Sequence, residues 1–229
     1  MLPYLIAILL LVSTAYLIRL ISLLPFYKSS SQNTQLLDTP NVTYKKPLHI
    51  FIFLGSGGHT GEMLGILSNY KTTFLRSGTH LYVGYSDIES RERFKKFCPD
   101  GCEVKYFQFV KAREVGAGVV SSIRSIVLTL VTSFVHVIQI RRSILNHPHL
   151  ILLNGPGTCC ILTLWFKLID LVLLVTPSSH IVYIESLARI DALSLTGRIL
   201  YYAVDMFVVQ WPELREHVVP RAQYFGILT

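Results

Sequence analysis

The chain has 229 residues, of which 51% are hydrophobic, and a formal net charge of +7. This hydrophobic content is enough for a buried core, but once a membrane anchor is subtracted the length allows only one further domain. The charge favours an anionic partner without choosing among phospholipid head groups, a diphosphate substrate and nucleic acid. Four cysteines have neither zinc-ribbon nor secreted-disulfide spacing, so we expect reduced thiols and no metal site: Cys98, Cys102, Cys159 and Cys160.

Residues 1–25 are predicted to form a transmembrane anchor. Arg19 is the only charged side chain in this apolar stretch, which as a helix is long enough to cross a hydrocarbon layer of about 30 Å. A cleaved signal peptide is disfavoured, because the stretch lacks a basic start and a small-residue cleavage site. The basic residues Arg19, Lys28 and Lys45 all lie on the C-terminal side, so the positive-inside tendency places the amino terminus outside the cytosol and the remaining chain inside it.

Residues 26–47 are polar and rich in turn-forming residues, which is typical of a tether between a membrane and a domain. From residue 48 onward, apolar runs of strand length alternate with longer helical patterns. The predicted strands cover 48–54, 79–85, 103–110, 149–154, 180–186 and 206–211, and the predicted helices cover 60–70, 87–97, 158–174 and 192–204. This alternation predicts one α/β domain over residues 48–229, built on a Rossmann-like parallel sheet.

The segment 119–139 is apolar enough to be mistaken for a second membrane span, but its pattern is that of an amphipathic helix. At about 100° per residue, one side collects Ser, Thr, His and Gln together with Arg124, and the other collects Val, Ile, Leu and Phe. Two interpretations remain open at this point. The helix covers the sheet, or it lies in the membrane interface beside Arg141 and Arg142, where a lipid-linked substrate would make it useful.

The loop after the first strand of the domain is rich in glycine and leads directly into a helix. Glycines let backbone N–H groups approach an anion, Ser56 and Thr60 add hydroxyl donors or cap the helix, and the first turn contributes its positive dipole end. A dinucleotide fingerprint needs Gly or Ala where Thr60 stands, and a Walker loop needs a Gly-Lys-Ser/Thr that is absent. We expect a bound diphosphate, with a tight turn as the alternative, at Gly55, Ser56, Gly57, Gly58, His59 and Thr60.

His59 is the candidate catalytic residue of this loop. An imidazole beside a ligand phosphate or hydroxyl can donate to an oxyanion or accept a proton as a general base. The alternative is that His59 only orients the loop. Glu62, three residues further on, is predicted to cap the helix start rather than to act as an acid or base.

Further candidate residues lie at the ends of later strands and in the C-terminal tail. Because the carboxyl ends of parallel strands meet at one edge of a sheet, these loops can open on the same side as the glycine loop. Solvated loops and a structural salt bridge are the alternatives. The possible cleft residues are Arg113, Glu114, Asn154, Gly155, Gly157, Glu185 and Arg189. The apolar tail is predicted to be a docking surface and contains Phe225, Gly226, Ile227 and Leu228.

Several motifs over residues 48–229 together resemble those of one family. They are GSGGHTGEM, AREVG, NGPGTC, ESLARIDALSLTGRILYYAVDMFVVQWPEL and YFGIL. They resemble the asparagine-linked glycosylation fourteen family, the membrane-anchor subunit of the dolichol-pathway UDP-N-acetylglucosamine transferase. The position of the anchor fits as well, whereas the tether and the individual residues of 119–140 are less diagnostic.

The resemblance implies a part in the second sugar transfer of N-glycan precursor assembly, onto N-acetylglucosaminyl-diphosphodolichol at the cytosolic face of the endoplasmic reticulum. The nuclear envelope is a further implied location. The chain would be the acceptor-side half of a GT-B glycosyltransferase, inactive alone, whose partner is the soluble catalytic subunit of the thirteen family. Gly57, Gly58 and His59 would face the acceptor diphosphate, and Phe225 to Leu228 would hold the partner, with neither cofactor nor nucleic acid involved.

The residues alone support part of this interpretation, because a two-domain transferase needs a second α/β domain that about 180 residues cannot supply. Two alternatives from other functional classes remain. A self-sufficient membrane-tethered reductase would use a dinucleotide at the glycine turn, although Thr60 weakens that prediction. A pure scaffold would leave the loop without a ligand.

Overall fold

The computed structural model describes residues 1–25, 47–112 and 119–229, and only the backbone of 119–122. The predicted tether, apart from residue 47, and the predicted cleft residues Arg113 and Glu114 lie outside the described residues. The helices are α1 Leu2–Leu23, α2 Gly58–Asn69, α3 Lys71–Phe74, α4 Ile88–Phe97, α5 Val119–Ile144, α6 Thr158–Val172, α7 Leu195–Leu200 and α8 Pro212–His217. The strands are β1 His49–Leu54, β2 His80–Tyr85, β3 Glu103–Gln108, β4 His149–Asn154, β5 Ile181–Ile184, β6 Met206–Val209 and β7 Gln223–Tyr224.

The strands form one parallel sheet in the order β3-β2-β1-β4-β5-β6-β7. His49 pairs with both His80 and His149, so the three central strands start level with one another. From β1 the chain first builds outward through β2 and β3, then crosses to the other side of β1 to form β4. The strand order therefore reverses between β1 and β4, and ligands of open α/β sheets bind in the crevice at such a point. The predicted Rossmann-like parallel-sheet fold is confirmed.

Strand β1 is buried along its whole length, because helices cover both faces of the sheet. Phe51 and Phe53 point into a core shared with α5, α6 and α7. Ile50, Ile52 and Leu54 point into a second core shared with α2 and α4. Each such side chain contributes about 1.5–3 kcal/mol by burial, and the two cores hold the carboxyl end of β1 firmly in the centre of the molecule.

The predicted elements agree with the structure best where the apolar pattern is long. The predicted helix 192–204 is shorter, because the chain leaves α7 in turns before Asp205, whose carboxylate accepts a hydrogen bond from Ile181 N–H at 2.9 Å. Helix α8 begins at Pro212, directly after Trp211, where the sequence predicted only the end of a strand. The short elements α3 and β7 were not predicted either.

Helix α1 is exposed along nearly all of its length and contacts the domain only at its C-terminal end. There the Arg19 guanidinium donates to the backbone carbonyls of Asp170 and Thr176, each at 2.9 Å. Lys167 Nζ donates to the Leu23 carbonyl at 3.2 Å. Among the described residues two helical stretches are, by length and composition, apolar enough to cross a membrane: Leu2–Leu23 and Ile123–Ile144.

The end of α6 that receives Arg19 is held from inside the domain by an ion pair. Arg141 Nε of α5 donates to Asp170 Oδ1 at 2.6 Å, and the two side chains are 1% and 0% exposed. Asp170 Oδ2 also accepts from Ser179 N–H at 2.6 Å, and Arg141 reaches the Pro177 carbonyl. Such a buried pair is costly to break from one side, since the remaining charge would be left uncompensated. The Arg141–Asp170 ion pair holds α5 and α6 together next to the C-terminal end of α1.

Candidate functional site

The glycine loop after β1 makes an open, strained turn into α2. Gly57 has φ +59°, a left-handed conformation that a side chain disfavours, and helix α2 begins at the next residue. Ser56, Gly57 and Gly58 are exposed, and a Cβ placed on either glycine would meet nothing within 4 Å. The backbone N–H groups of the first turn of a helix have no intrahelical acceptor. This part of the loop can therefore present them, with the positive end of α2, to an anion.

Thr60 and Gly55, which were predicted to contact the ligand, are buried under the loop and stabilise its turn. Thr60 is fully buried, and its hydroxyl donates to the Gly55 carbonyl at 2.5 Å. The Ser90 hydroxyl donates to the same carbonyl at 2.8 Å. Gly55 is itself buried, and a Cβ there would lie 2.9 Å from Pro156 Cδ. The expectation that Thr60 offers a hydroxyl to the ligand is therefore wrong, because that hydroxyl already fixes the turn.

His59 lies between the glycine loop and the loop after β4. Its side chain is 35% exposed, and its Nδ1 is 3.9 Å from Glu62 Oε2. Gly155 has φ +97°, and any Cβ on it would collide with the His59 ring. Glycine at 155 is thus required both by the backbone and by the imidazole. Nδ1 is buried without a hydrogen-bond partner among the described residues, so a small rotation toward Glu62 would satisfy it.

Glu62 joins three loops at the carboxyl edge of the sheet. Its carboxylate accepts from Asn154 Nδ2 at 2.9 Å and from the Ser186 hydroxyl at 2.6 Å. Burial raises the pKa of Glu62, but its interactions with His59, Ser186 and Asn154 outweigh burial and leave the pKa below its usual value. The capping prediction for Glu62 is wrong, because Gly57 is the N-cap of α2 and no side chain caps it. The signal available in the sequence was that Glu62 is the only acidic residue in that helix.

Glu185 forms the buried floor of the site at the end of β5. Glu185 is only 1% exposed, and its carboxylate accepts hydrogen bonds from the Ser186 N–H and from the Ser194 hydroxyl, each at 3.0 Å. Burial raises the pKa of Glu185 above its usual value, although these hydrogen bonds partly oppose the rise. A Cβ on Gly197 would collide with the carboxylate, so that glycine makes room for Glu185. Glu185 therefore holds the loop that follows β5.

These groups surround an open pocket of about 550 Å³ at the switch point between β1 and β4. Its lining comes from the loops after β1, β4 and β5 and the start of α7, and includes His59, Gly155, Glu185, Ser186, Arg189 and Leu195. Arg189 is exposed and brings a cation to this lining. Asn154 lies beneath, with Nδ2 also donating to the Ile184 carbonyl at 3.1 Å, and Gly157 is the N-cap of α6.

The structure thus brings together His59, Gly155, Glu185 and Arg189, which the sequence predicted separately. It adds Ser186 and Glu62, which the sequence analysis did not place in the site. Within the described ranges no group of three or more His, Cys, Asp or Glu residues is arranged to hold a metal ion.

The C-terminal tail is docked on the domain rather than frayed. The Leu228 N–H donates to Gln210 Oε1 at 3.0 Å, and its carbonyl accepts from Asn69 Nδ2 at 3.0 Å. The Leu228 side chain is 6% exposed and belongs to the core beneath α2, so the prediction that it is available to a partner is wrong. Phe225 and Ile227 are 49% and 56% exposed. Gly226, at φ +86°, turns the chain between them.

The fold and site define a class, that of single-domain Rossmann-like α/β proteins preceded by a helix apolar enough to span a membrane. The family model described as "Oligosaccharide biosynthesis protein Alg14 like" matches residues 50–228. The chain belongs to this family. The "UDP-N-acetylglucosamine transferase subunit ALG14" of Saccharomyces cerevisiae is 53% identical over 98% of both chains. The human protein of the same description is 30% identical over 83% of this chain and 87% of its own.

Among solved structures, MurG of Acinetobacter baumannii matches with a TM-score of 0.44 and 12% identity. The match covers 72% of this chain and 42% of that chain. Family membership, by contrast, rests on nearly the full length of the chain. It favours a transferase subunit over the dinucleotide-dependent reductase.

Proposed function

We propose that this chain is the membrane-anchoring subunit of a UDP-N-acetylglucosamine transferase that adds the second N-acetylglucosamine to N-acetylglucosaminyl-diphosphodolichol. It contributes the acceptor site and recruits a soluble catalytic subunit of the thirteen family to the endoplasmic reticulum membrane. The amino terminus is lumenal and residues 48–229 are cytosolic. The observation that carries the proposal is the pocket at the switch point, which is lined by Arg189 and by His59, the residue that directly follows the open glycine loop.

The acceptor diphosphate is bound mainly by main chain in this proposal. Ser56, Gly57 and Gly58 leave their backbone accessible at the start of α2, where the helix dipole favours negative charge. Arg189, an exposed residue of the pocket lining, supplies a cation. Two sources of positive potential across an open pocket suit a ligand with two phosphate groups better than a neutral sugar.

The chemical step is attack by an acceptor hydroxyl on the anomeric carbon of the donor sugar, with UDP as the leaving group. His59 is the candidate base for the hydroxyl proton, because it lies at the pocket and contacts the turn that holds the diphosphate. Glu62, 3.9 Å from Nδ1, would orient the imidazole and stabilise it once protonated. Glu62 never needs to take the proton itself.

In this proposal the nucleotide-sugar half of the site comes from the soluble subunit, as in a GT-B enzyme divided between two chains. The exposed side chains of Phe225 and Ile227 beside the docked tail support a partner-binding surface there. A tail already fixed to the domain loses little conformational freedom when a partner binds. This favours a long-lived heterodimer.

The decisive experiment measures sugar transfer to a lipid-diphosphate acceptor in detergent, with the chain alone, the soluble subunit alone and both together. Transfer is expected only from the combination. Activity of the chain alone would overturn the divided-enzyme proposal. A combination that is active but insensitive to substitutions around the pocket would instead support a scaffold.

A further inference from the structure

Helix α5 carries its polar side toward the domain over its first half. The Ser125 hydroxyl donates to the Ala112 carbonyl at 2.8 Å, and Thr129 and Ser133 are 0% and 1% exposed. The large apolar side chains of the same stretch are exposed: Ile123, Ile126, Val127, Leu128, Val131, Phe134 and Val135. Among the side chains described from Ile123 onward, those that α5 buries in the hydrophobic core are at its C-terminal end: Val137, Ile140 and Ile144. The interpretation of α5 as a simple cover for the sheet is therefore correct only for its last third.

The exposed apolar side of α5 continues onto the two helices beside it. Trp165 of α6 packs against Phe134 with ring centroids 4.6 Å apart and ring planes tilted by 50°, and its indole N–H donates to the Leu130 carbonyl at 3.0 Å. Helix α6 exposes an apolar stripe at intervals of four residues, and α7 exposes another. These stripes comprise Leu164, Leu168 and Val172 on α6, and Leu195 and Ile199 on α7, with Tyr202 in the turn that follows α7. The outer surface of α5, α6 and α7, here called the apolar face, is thus continuous.

The helix layer on the opposite side of the sheet has a different surface. Among the described residues of α2, α3 and α4, the large hydrophobic side chains that are exposed are limited to Ile88. Helix α4 carries mostly charged residues between Glu89 and Lys96. The outer surface of α2, α3 and α4 is therefore polar, whereas the outer surface of α5, α6 and α7 is apolar. A water-soluble domain rarely exposes so large a continuous apolar area without a binding partner.

We infer that the apolar face lies in the interfacial region of the same membrane that α1 crosses, with the exposed side of α5 inserted among the head groups and upper acyl chains. The inference rests on the anchoring role proposed for α1. It commits to lipid because α1 meets the domain on α6, within this face, through Arg19 and Leu23. Because α1 leaves the domain from the side of the apolar face, a bilayer crossed by α1 would lie next to this face.

The charge on α5 also suits a lipid surface. Arg124 is exposed two helical turns before Val131, so it lies on the outward side rather than with the buried Ser125 and Thr129. A guanidinium at this position can reach lipid phosphates while the neighbouring apolar side chains insert about 5–10 Å. Arg142, also exposed, lies beyond the apolar stretch at the other end of the helix.

This arrangement would bring the pocket to the membrane surface. Leu195 is the first residue of α7 and lines the pocket, so the apolar face extends to the pocket rim. Cys160 at the start of α6 contacts the Thr196 carbonyl, which joins the two helices at that rim. An acceptor whose lipid remains in the bilayer could then pass its diphosphate into the site without leaving the membrane.

The test uses the full chain, alone and with its soluble partner, in phosphatidylcholine–phosphatidylinositol vesicles that contain a phospholipid with a photoreactive diazirine in its acyl chain. After irradiation, labelled peptides are identified by mass spectrometry. We expect the 123–135 peptide to be labelled at least about fivefold more than the α4 peptide, since only an inserted face meets acyl chains. Labelling of α1 without excess labelling of 123–135 would refute the inference and leave anchoring intact. If α1 is not labelled either, both proposals fail.

A double variant on α5 and a matched control test whether the labelling depends on the apolar face. Val127→Asp with Val131→Asp places two charges on the exposed side, and labelling of the 123–135 peptide is expected to fall at least about threefold. Val218→Asp is the matched control, because Val218 is also exposed (43%) but follows α8, outside the apolar face. Labelling unchanged by the double substitution would contradict the inference. So would labelling that disappears when the partner binds, which would identify the face as a protein interface.

Discussion

Glu62 offers the sharpest test of how the site is assembled, because one carboxylate joins side chains from three separate strand ends. Replacing it in Glu62→Gln keeps the size of the side chain but removes its charge. The amide can still accept one hydrogen bond, while its NH₂ group faces a donor, either Asn154 Nδ2 or the Ser186 hydroxyl. An NH₂ group that faces Asn154 Nδ2 leaves two donors in contact, whereas one that faces Ser186 forces the hydroxyl to accept instead of donate. In either arrangement the hydrogen bonds to this side chain lose their charge.

The expected magnitude follows from the contacts. Hydrogen bonds to a charged group contribute about 1.5–3 kcal/mol each when fully buried. The Glu62 side chain keeps 16% exposure, so water can replace part of the loss. We expect the free energy of unfolding to fall by about 1–2 kcal/mol, which for a domain of this size lowers Tm by about 2–8 °C.

The assay is thermal unfolding in detergent, followed by sugar transfer in the reconstituted heterodimer. Glu216→Gln, at an exposed position on α8, is the control and should leave both unchanged. In Glu62→Gln, kcat should fall more than the Tm change explains, because His59 loses its orienting carboxylate. A Tm within about 1 °C of wild type, which corresponds to less than about 0.5 kcal/mol for a domain of this size, would refute the reasoning.

The stability difference should also depend on pH. The pKa of Glu62 is lowered by folding, so its contribution is fully present above the unfolded value of 4.5 and is lost as the pH falls through the folded value. Wild type and Glu62→Gln should therefore differ most near neutral pH and converge well below pH 4.5. A difference that persists unchanged in acid would show that shape rather than charge is responsible.

Four further variants test the remaining parts of the proposal. His59→Ala should lower kcat by about 10²–10⁴-fold in the reconstituted heterodimer, and unchanged transfer would end the base role. Gly155→Ala should destabilise the domain by about 1–3 kcal/mol in thermal unfolding, because of its positive φ and the collision with the imidazole. Arg189→Ala should raise KM for the lipid-diphosphate acceptor by about tenfold with a smaller change in kcat; an effect on kcat alone would contradict diphosphate binding. Phe225→Ala with Ile227→Ala should reduce co-purification of the soluble subunit while Tm stays within about 2 °C of wild type, and full retention of the partner would place its binding surface elsewhere.

Much of the fold could be predicted from the sequence, because strands buried on both faces produce unbroken apolar runs. HIFIFL and HLILLN are such runs, and each is followed by glycines where the chain must turn tightly. The sequence predicted that the loops after these two runs open at the same edge of the sheet. The strand order, which puts the switch point between β1 and β4, came from the structure. Short elements such as α3 and β7 lack a run long enough to be recognised.

The rest depended on contacts between distant residues. Glu62 and Ser186 are 124 positions apart, so a local pattern could suggest only a capping role for the carboxylate. The periodicity of 119–139 separated two sides of a helix, but periodicity does not say which side meets the domain. The hydroxyls of α5 decide this, since they hydrogen-bond to backbone groups of the same helix and of the chain after β3.

The hydrogen bonds from Arg19 to the Asp170 and Thr176 carbonyls bear on how α1 is oriented relative to the domain. The Arg19 guanidinium and the Lys167 ammonium fasten the foot of α1 to a helix that the buried pair of Arg141 and Asp170 already holds in place. These contacts between α1 and α6, and not the length of residues 26–46, therefore set the orientation of the domain relative to α1. With α1 as the proposed membrane anchor, these contacts would fix the angle between the domain and the membrane-spanning helix and not merely limit the distance of the domain from the membrane.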